Sequence, residues 1–372
     1  MTPRERLIAA MNLQVPDRTP LMCQLSIGHM LLQLGVPPVE FWYDPDVFAD
    51  GLVKLREIYD FDGILVSLHG HDPLWRQHVK ARRSTPDGES VALDDGTEMI
   101  FPPDDLPQPV KGTGVRSGTI AERSLPGVLD YIPVSIGLHF HIDPLHTFDV
   151  FELVAQKAGP DYSIHGEVTS PFDYFLDHAG YEEGLVSLVR EPDKSKDKLA
   201  HFGRLVADLA GDMCSAPVDA IKISSPFAGS SFISREHYRQ FVLPYESQVV
   251  DAVRSRGKHA YLHTCGAVGD RLDLMFDSGA SGIECLDPPP LGTVELAEAK
   301  KLTRGRGFIK GNVDSVNTLL TQGKDDILSD ARDRIRIGKE GGAFILSTAC
   351  SVAPHVPRAS LRLLRDAVEQ WG

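Results

Sequence analysis

Short apolar runs alternate with helical patterns along most of the chain, and this alternation limits the possible folds more than any other feature. Eight runs rich in β-branched, aromatic and other apolar residues predict strands. They cover residues 19–23, 63–67, 162–167, 220–224, 260–263, 282–286, 307–311 and 343–347. Buried strands separated by helices are typical of a parallel sheet, and eight such units predict an α/β fold of the (β/α)8 TIM-barrel class.

Helical periodicity fills most of the segments between these runs. The predicted helices cover residues 4–13, 46–59, 148–158, 196–214, 235–255, 272–276, 294–302, 324–338 and 358–370. Residues 79–124 interrupt the alternation, since they are rich in glycine, proline and aspartate, with turn sequences at 86–88 and 94–97. We therefore predict a β-hairpin excursion between the second and third barrel strands, as an insertion in one domain that spans residues 1–372.

Composition excludes several classes of protein. The chain has 372 residues, 42% of them apolar and 24% charged, and a formal net charge of −14. That charge argues against nucleic acid and anionic membranes as partners, and no apolar run is long enough to predict a transmembrane helix. Five cysteines do not suit a disulfide framework, and the first residues lack the layout of a signal peptide. We expect a cytoplasmic protein, whose oligomeric state stays open.

A histidine and a cysteine lie where the fifth predicted strand ends, in the segment 261–266. Side chains at positions i and i+2 of a strand point to the same face, so His263 and Cys265 can approach one ion. An imidazole and a thiolate together favour Zn²⁺ over metals that prefer oxygen ligands. Cys350 follows the last predicted strand and is available as a third ligand.

Three soft ligands from two strand ends leave one coordination position open, as in catalytic rather than structural zinc sites. Catalytic groups of TIM barrels lie at the C-terminal ends of the strands, where His263, Cys265 and Cys350 all fall. The alternative is that both cysteines are ordinary buried thiols and that His263 is a hydrogen-bonded core histidine. The position at the strand ends favours the metal site.

Two carboxylates near the end of the sixth predicted strand compete for the fourth coordination position. Glu284, Asp287 or water would fill it at rest, and either carboxylate would otherwise bond a neighbouring loop. We take Glu284 as the metal-ligand candidate. Cys285 alternates to the opposite face from Glu284, which predicts a packed core thiol. Cys23 and Cys214 have no metal-like neighbours and are predicted to be structural.

Three further polar residues are candidates for catalytic roles because each follows or ends a predicted strand. His69, with His71 close behind it, follows the second strand and is a candidate polar group of a substrate pocket. Glu167 ends the third strand and is a candidate proton acceptor or substrate contact, unless it anchors a loop. Asn312 follows the turn at Gly311 and is predicted to orient either substrate or a neighbouring loop.

Several motifs together resemble the uroporphyrinogen decarboxylase superfamily over nearly the whole chain. They lie at residues 4–10, 15–20, 219–224, 241–245, 263–266 and 310–314. The resemblance implies a single (β/α)8 barrel. The decarboxylases of that superfamily carry an arginine-rich segment that grips the carboxylates of the porphyrinogen, whereas residues 22–30 of this chain contain no arginine. Their histidine near the last strand corresponds to Cys350 here.

These departures resemble another branch of the superfamily, the zinc-dependent corrinoid methyltransferases of the methylcobalamin:coenzyme M type. The resemblance implies Zn²⁺ held by His263, Cys265 and Cys350, and methylcobalamin or another corrinoid as methyl carrier. We therefore predict a zinc-dependent methyltransferase that moves a methyl group between a corrinoid and a thiol or similar small-molecule acceptor.

The partner expected from this prediction is a corrinoid protein or free cobalamin. A corrinoid protein is favoured, because the chain has no Asp-x-His-x-x-Gly motif of the kind that binds cobalamin. Two alternatives remain for the function as a whole. One is a uroporphyrinogen decarboxylase-like lyase, and the other is a non-catalytic barrel that binds a metal or ligand.

Overall fold

Three sheets are formed by the strands of the described residues. The computed structural model describes residues 1–110 and 124–372. Its strands are β1 (Gly63–Val66), β2 (Val79–Thr85), β3 (Gly88–Leu93), β4 (Glu98–Phe101), β5 (Gln108–Pro109), β6 (Tyr131–Ser135), β7 (Leu138–His141), β8 (Ser163–Thr169), β9 (Ala220–Ser224), β10 (His259–Thr264), β11 (Gly282–Cys285), β12 (Phe308–Val313) and β13 (Phe344–Thr348). The central sheet has seven parallel strands in the order β1-β8-β9-β10-β11-β12-β13, so the fold is α/β.

Helices occupy most of the segments that connect the central strands. They are α1 (Pro3–Met11), α2 (Ile27–Leu34), α3 (Pro38–Tyr43), α4 (Pro45–Tyr59), α5 (Asp149–Ala158), α6 (Pro171–Ala179), α7 (Tyr181–Arg190), α8 (Pro192–Met213), α9 (Arg235–Phe241), α10 (Leu243–Arg254), α11 (Leu272–Asp277), α12 (Leu296–Thr303), α13 (Lys324–Gly338) and α14 (Arg358–Trp371). At least one helix separates each pair of consecutive strands from β8 to β13, as parallel pairing requires. None of the helices in the described ranges has the length and apolar composition needed to cross a membrane.

Residues 19–23, predicted as the first strand, form an isolated bridge rather than a full strand. Leu21 bridges to Leu346 in β13, and the amide of Met22 donates to the Leu346 carbonyl at 3.0 Å. On the other side, the amide of Asp62 donates to the Leu21 carbonyl at 2.8 Å. The segment therefore lies between the last strand of the central sheet and the start of the first.

Asp62 anchors this segment through a buried cluster of ion pairs. Its carboxylate is 1% exposed and lies 2.6 Å from the guanidinium of Arg6 and 2.9 Å from that of Arg18. It also accepts a hydrogen bond of 2.7 Å from the amide of Leu21. A buried carboxylate is costly unless it is paired and hydrogen-bonded, so these contacts stabilise the approach of residues 19–23 to β1.

The excursion between β1 and β8 is larger than the predicted single hairpin. Strands β2 to β5 form a four-stranded antiparallel sheet, and β6 pairs with β7 in a separate antiparallel ribbon. The turn sequences at 86–88 and 94–97 connect β2 to β3 and β3 to β4, as their composition predicted. Residues 111–123, near the end of the predicted insertion, lie outside the described residues.

The helix predicted over residues 235–255 is divided into α9 and α10, with the break at Val242. Pro244 lies in the first turn of α10, where the missing N–H of proline is tolerated and the preceding helix cannot continue. Four short helices of six to ten residues, α2, α3, α6 and α7, were not predicted. Their length gives few turns in which a helical period can be recognised.

Candidate metal centre

Four soft donor side chains converge at the C-terminal end of the central strands. His263 lies in β10, Cys285 ends β11, and Cys265 and Cys350 follow β10 and β13. One potential ligand atom from each lies within 4.8 Å of those of the others. Three thiols and an imidazole are a donor set that Zn²⁺ prefers, so these residues fit the metal expected from the sequence.

The four residues, which we call the donor group, lie close together but differ in how accessible they are. The Nε2 atom of His263 is 3.3 Å from Sγ of Cys265, and that sulfur is 3.4 Å from Sγ of Cys350. Cys265 and Cys350 are half-buried, whereas Cys285 is fully buried. The donor group is therefore accessible from the side of Cys265 and Cys350.

Glu284, the predicted fourth ligand, is not in the donor group and contacts the imidazole of His263 instead. Its Oε2 atom lies 3.0 Å from Nδ1 of His263, the ring nitrogen opposite the one near Cys265. Histidines that bind metals commonly donate their second N–H to a carboxylate, which orients the ring. The contact therefore directs Nε2 of His263 toward the thiols.

Two lysines of neighbouring strands neutralise Glu284. Lys310 in β12 contacts its Oε1 atom, and the ammonium of Lys222 in β9 lies 3.5 Å from Oε2. Burial alone would raise the pKa of Glu284, but the charges of Lys310 and Lys222 hold it well below its usual value. Glu284 is therefore a carboxylate at neutral pH and accepts the Nδ1 proton of His263.

Asp287, the other carboxylate considered as a fourth ligand, also lies outside the donor group. Its Oδ2 atom accepts a hydrogen bond of 2.6 Å from the amide of Gly266 and lies 3.2 Å from Sγ of Cys285. Burial raises the pKa of Asp287 above its usual value. Its contacts connect the loops that carry Cys265 and Cys285.

Cys285 joins the donor group because the alternation of β11 ends at this residue. The φ angles of Cys285 and Leu286 are 86° and 60°, in the left-handed region that residues other than glycine rarely adopt. Cys285 is buried, as predicted, but it is not separate from the site. The prediction assumed that strand geometry continues through residue 285, but the backbone is left-handed there, so the side chain does not point away from the site.

Residues of β12 stabilise this unusual backbone. The side chain of Asn312 donates to the Leu286 carbonyl at 2.8 Å, and Arg334 in turn donates to Asn312 Oδ1 at 2.6 Å. A Cβ atom on Gly311 would lie 2.7 Å from the Cys285 carbonyl oxygen, so this approach requires glycine. Asn312 thus contacts the neighbouring loop, and it is not among the residues that line the cavity beside the donor group.

Hydrogen bonds among the thiols favour ionisation of Cys350. Contacts with Cys265 and Cys285 hold the pKa of Cys350 well below its usual value, whereas burial raises the pKa of Cys285 well above it. Burial and the charge of Lys222 act to lower the pKa of His263, but the contacts with Cys265 and Cys350 outweigh them and raise it. Cys350 therefore ionises more readily than Cys285 to the thiolate form that binds metals.

A cavity of about 570 Å³ opens beside the donor group, with His263, Cys265 and Cys350 in its wall. The ends of β8 and β9 and the ribbon formed by β6 and β7 contribute other parts of the wall. Cavities of this size at the C-terminal ends of parallel strands are common small-molecule sites.

Two of the three predicted catalytic residues, His69 and Glu167, line this cavity. Nδ1 of His69 lies 3.2 Å from the carbonyl of Thr147, which only accepts hydrogen bonds, so Nδ1 carries the proton and Nε2 is an acceptor. Burial lowers the pKa of His69 to about 4, which keeps the ring neutral. Oε1 of Glu167 lies 3.0 Å from the ammonium of Lys222.

His71, which was grouped with His69 in the sequence, lies elsewhere. Its ring packs against Phe48 and Phe140, with centroid distances of 4.9 and 4.8 Å, and lines a separate cavity. Glycine at position 70 adopts a φ of 82°, so the chain turns between the two histidines. Proximity in the sequence therefore does not bring both histidines to one site.

The sequence analysis missed Lys222 and Lys310. Each interrupts an apolar run within a central strand, and each is fully buried. A buried ammonium is costly unless it is paired, so a lysine within a buried strand indicates a carboxylate on a neighbouring strand. That signal would have indicated Glu167 and Glu284.

Comparisons with known proteins agree with the resemblance seen in the motifs. The methylcobamide:CoM methyltransferase MtaA of Methanosarcina barkeri is 23% identical over 377 residues, which cover 100% of this chain and 98% of that protein. The methylcobamide:CoM methyltransferase MtbA of Methanosarcina mazei is 21% identical over 387 residues, with 100% and 98% covered. A solved methyltransferase structure from Methanosarcina mazei shares the fold, with a TM-score of 0.73, 19% identity and coverage of 100% and 99%.

The family comparison concerns more than half of the chain. The uroporphyrinogen decarboxylase (URO-D) family matches residues 142–371, which include β8 to β13 and the whole donor group. Two methyltransferases are among the relatives matched over the full length of the chain. The predicted resemblance is therefore confirmed, and the chain belongs to the uroporphyrinogen decarboxylase family.

Proposed function

We propose that this protein is a zinc-dependent methyltransferase that moves a methyl group between a corrinoid and a thiol or similar acceptor. The convergence of His263, Cys265, Cys285 and Cys350 beside a cavity is the observation that carries the proposal. The similarity to MtaA and MtbA over the full length of the chain supports it. Family membership alone does not define the reaction, because one fold supports different chemistries.

We infer that the central sheet closes into a (β/α)8 barrel within one domain of residues 1–372, with residues 19–23 as its first strand. Support comes from a buried cluster that contains Met22, Leu65, Tyr261 and Phe308, together with residues of α1. Side chains from several strands that meet in one layer are expected inside a closed barrel. Closure brings the ends of β10, β11 and β13 to one rim.

His263, Cys265 and Cys350 would hold the zinc ion, and Cys285 is a fourth donor within reach in place of Glu284. A bound Zn²⁺ lowers the pKa of a thiol acceptor while leaving its sulfur nucleophilic. Glu284 holds the His263 ring with Nε2 toward the thiols, and the cavity walls exclude water and align the acceptor with the methyl donor.

In the proposed reaction, methylcobalamin and a thiol give a methyl thioether and cob(I)alamin. The carbon–cobalt bond breaks with both electrons remaining on cobalt, a carbon–sulfur bond forms, and the thiol proton passes to solvent. The corrinoid would be supplied by a corrinoid protein or as free cobalamin at the mouth of the cavity. The reverse direction would use the same groups.

Metal content and methyl transfer test this proposal together. We expect about one zinc per chain by elemental analysis, and a change in the corrinoid absorbance when the protein is mixed with methylcobalamin and a thiol. A folded sample prepared without chelators that contains no zinc would contradict the metal assignment. Zinc without methyl transfer to any thiol would favour a binding barrel instead.

A further inference from the structure

Two residues in the wall of the cavity beside the donor group each have a buried hydrogen-bond acceptor. Glu167 and His69 line the cavity, and Oε2 of Glu167 and Nε2 of His69 have no hydrogen-bond partner within the described residues. Nδ1 of His69 carries the proton, so Nε2 offers only a lone pair. Leaving buried acceptors unpaired is costly, which indicates a ligand or water that donates hydrogen bonds at this position.

The ammonium of Lys222, which contacts Glu167, is already paired with carboxylates of this chain. The ammonium of Lys222 is fully buried and lies 2.6 Å from Oε1 of Gln24, 3.0 Å from Oε1 of Glu167 and 3.5 Å from Oε2 of Glu284. An ammonium has three N–H donors, and three acceptors already surround this one.

The described wall of the cavity contains carboxyl groups but no lysine or arginine. Asp105 and Glu167 line it, as does Asp173, whose pKa burial raises to about 7, and no lysine or arginine does so in residues 1–110 and 124–372. The rings of Tyr174, Tyr181 and Phe227 form part of the wall as well. Carboxylates and aromatic faces attract cations, whereas a sulfonate or carboxylate ligand would find no lysine or arginine in the described wall.

We propose that the small-molecule substrate of this cavity carries an ammonium group, so that the methyl acceptor is an aminothiol rather than an anionic thiol. The ammonium would donate hydrogen bonds to Glu167 Oε2 and His69 Nε2 while the thiol lies at the donor group. This inference rests on the proposed function, because it names the class of acceptor for the same site.

Three thiols of equal length test the proposal, since they share the frame HS–CH₂–CH₂–X and differ only in X. In 2-aminoethanethiol X is an ammonium, in 2-mercaptoethanol a hydroxyl, and in 2-mercaptoethanesulfonate a sulfonate. We expect methyl transfer from methylcobalamin with the highest kcat/KM for the ammonium compound and the lowest for the sulfonate.

The S-methylated products of the same three thiols provide a binding measurement that does not depend on thiol ionisation. Calorimetric titration of the zinc-loaded protein should give the tightest Kd for the ammonium product. Glu167→Gln should weaken that binding by about tenfold or more and leave the hydroxyl product nearly unchanged, because one charge-assisted hydrogen bond is lost. Glu182→Gln, on the exposed surface of α7, is the matched control and should change none of the three.

The outcomes separate this inference from the proposed function. Methyl transfer with the sulfonate preferred, or with no preference, would overturn the ammonium class and leave the methyltransferase proposal standing. Failure to methylate any thiol would contradict the proposed function, and binding of the three products would still decide the ligand class. Absence of measurable binding by the ammonium product would overturn the inference. Should Glu167→Gln fail to fold, the wild-type comparison decides by itself.

Discussion

Oε2 of Glu284 lies 3.0 Å from Nδ1 of His263, on the opposite side of the ring from the thiol of Cys265. The contact forms because His263 in β10 and Glu284 in β11 lie opposite each other in the parallel pairing of these strands. The carboxylate therefore selects which imidazole nitrogen is directed toward the cysteines. The orientation of the His263 ring in the donor group therefore depends on the pairing of β10 with β11.

Replacing Glu284 tests that relationship. Glu284→Gln should lower zinc affinity by about 10- to 100-fold, because the charged acceptor for the His263 N–H is lost. Competition with a chelator measures the affinity, and thermal unfolding followed in parallel distinguishes loss of metal from loss of fold. Glu298→Gln, an exposed residue of α12, should leave the affinity unchanged. Equal affinity in both variants would contradict the role assigned to Glu284.

The cysteines should contribute unequally to metal binding. We expect Cys265→Ser and Cys350→Ser to lose most of the bound zinc, since each removes a soft ligand beside the cavity. Cys285→Ser should retain more, because the proposed ligands His263, Cys265 and Cys350 all remain. Cys214→Ser is the control, since Cys214 follows α8 and its thiol donates to the Ala210 carbonyl of that helix. Elemental analysis gives the comparison, and a Cys350→Ser protein with undiminished zinc would contradict the proposed site.

Asp62 should be among the residues on which folding stability depends. Asp62→Ala leaves the guanidinium groups of Arg6 and Arg18 without their buried partner, so the free energy of unfolding should fall by about 3–5 kcal/mol. Urea denaturation measures the change. Glu57→Ala breaks the exposed pair with Lys54 and should cost no more than about 1 kcal/mol. A loss at residue 62 as small as that at residue 57 would show that the cluster is not important for folding.

Two buried carboxyl groups predict a dependence of stability on pH. Burial raises the pKa of Asp173 and of Glu246 to about 7. Each carboxyl group accepts a hydrogen bond of 2.6 Å from a hydroxyl group: Ser170 donates to Asp173, and Tyr238 donates to Glu246. Their pKa values in an unfolded chain are about 4, so between roughly pH 4 and pH 7 the folded state binds more protons.

The contribution of these two groups to the free energy of unfolding is therefore fully present below about pH 4 and is lost as pH rises through about 7. Asp173→Asn and Glu246→Gln remove the titrating protons and should each flatten this decline, measured by urea denaturation across the range. Asp208→Asn, on the exposed face of α8, should leave the slope unchanged. A slope that is the same in all three variants would show that these carboxyls do not titrate on folding.

The protein is expected not to decarboxylate uroporphyrinogen. That substrate carries several carboxylates, and neither residues 22–30 nor the described wall of the cavity supplies an arginine or lysine to bind them. Each missing charge-assisted contact weakens binding by about 1.5–3 kcal/mol. The assay is formation of coproporphyrinogen under reducing conditions. Turnover comparable to that of a decarboxylase would contradict both this prediction and the proposed methyl transfer.

Local sequence patterns were sufficient for the seven central strands and for most of the helices. Their apolar runs and helical periods depend on neighbouring residues, so the pattern can be recognised without knowing the tertiary contacts. Strand geometry also predicted that His263 and Cys265 lie together, because residues i and i+2 share a face. The sequence alone therefore located three of the four donor residues.

Only the tertiary structure decided the places of Cys285 and Glu284. The left-handed backbone at Cys285 and Leu286 is stabilised by Asn312 of β12, a contact between residues far apart in the sequence. The role of Glu284 likewise depends on Lys222 and on the pairing of β11 with its neighbours. The alternation of side chains along one strand does not reveal such contacts, because the residues that make them lie on other strands.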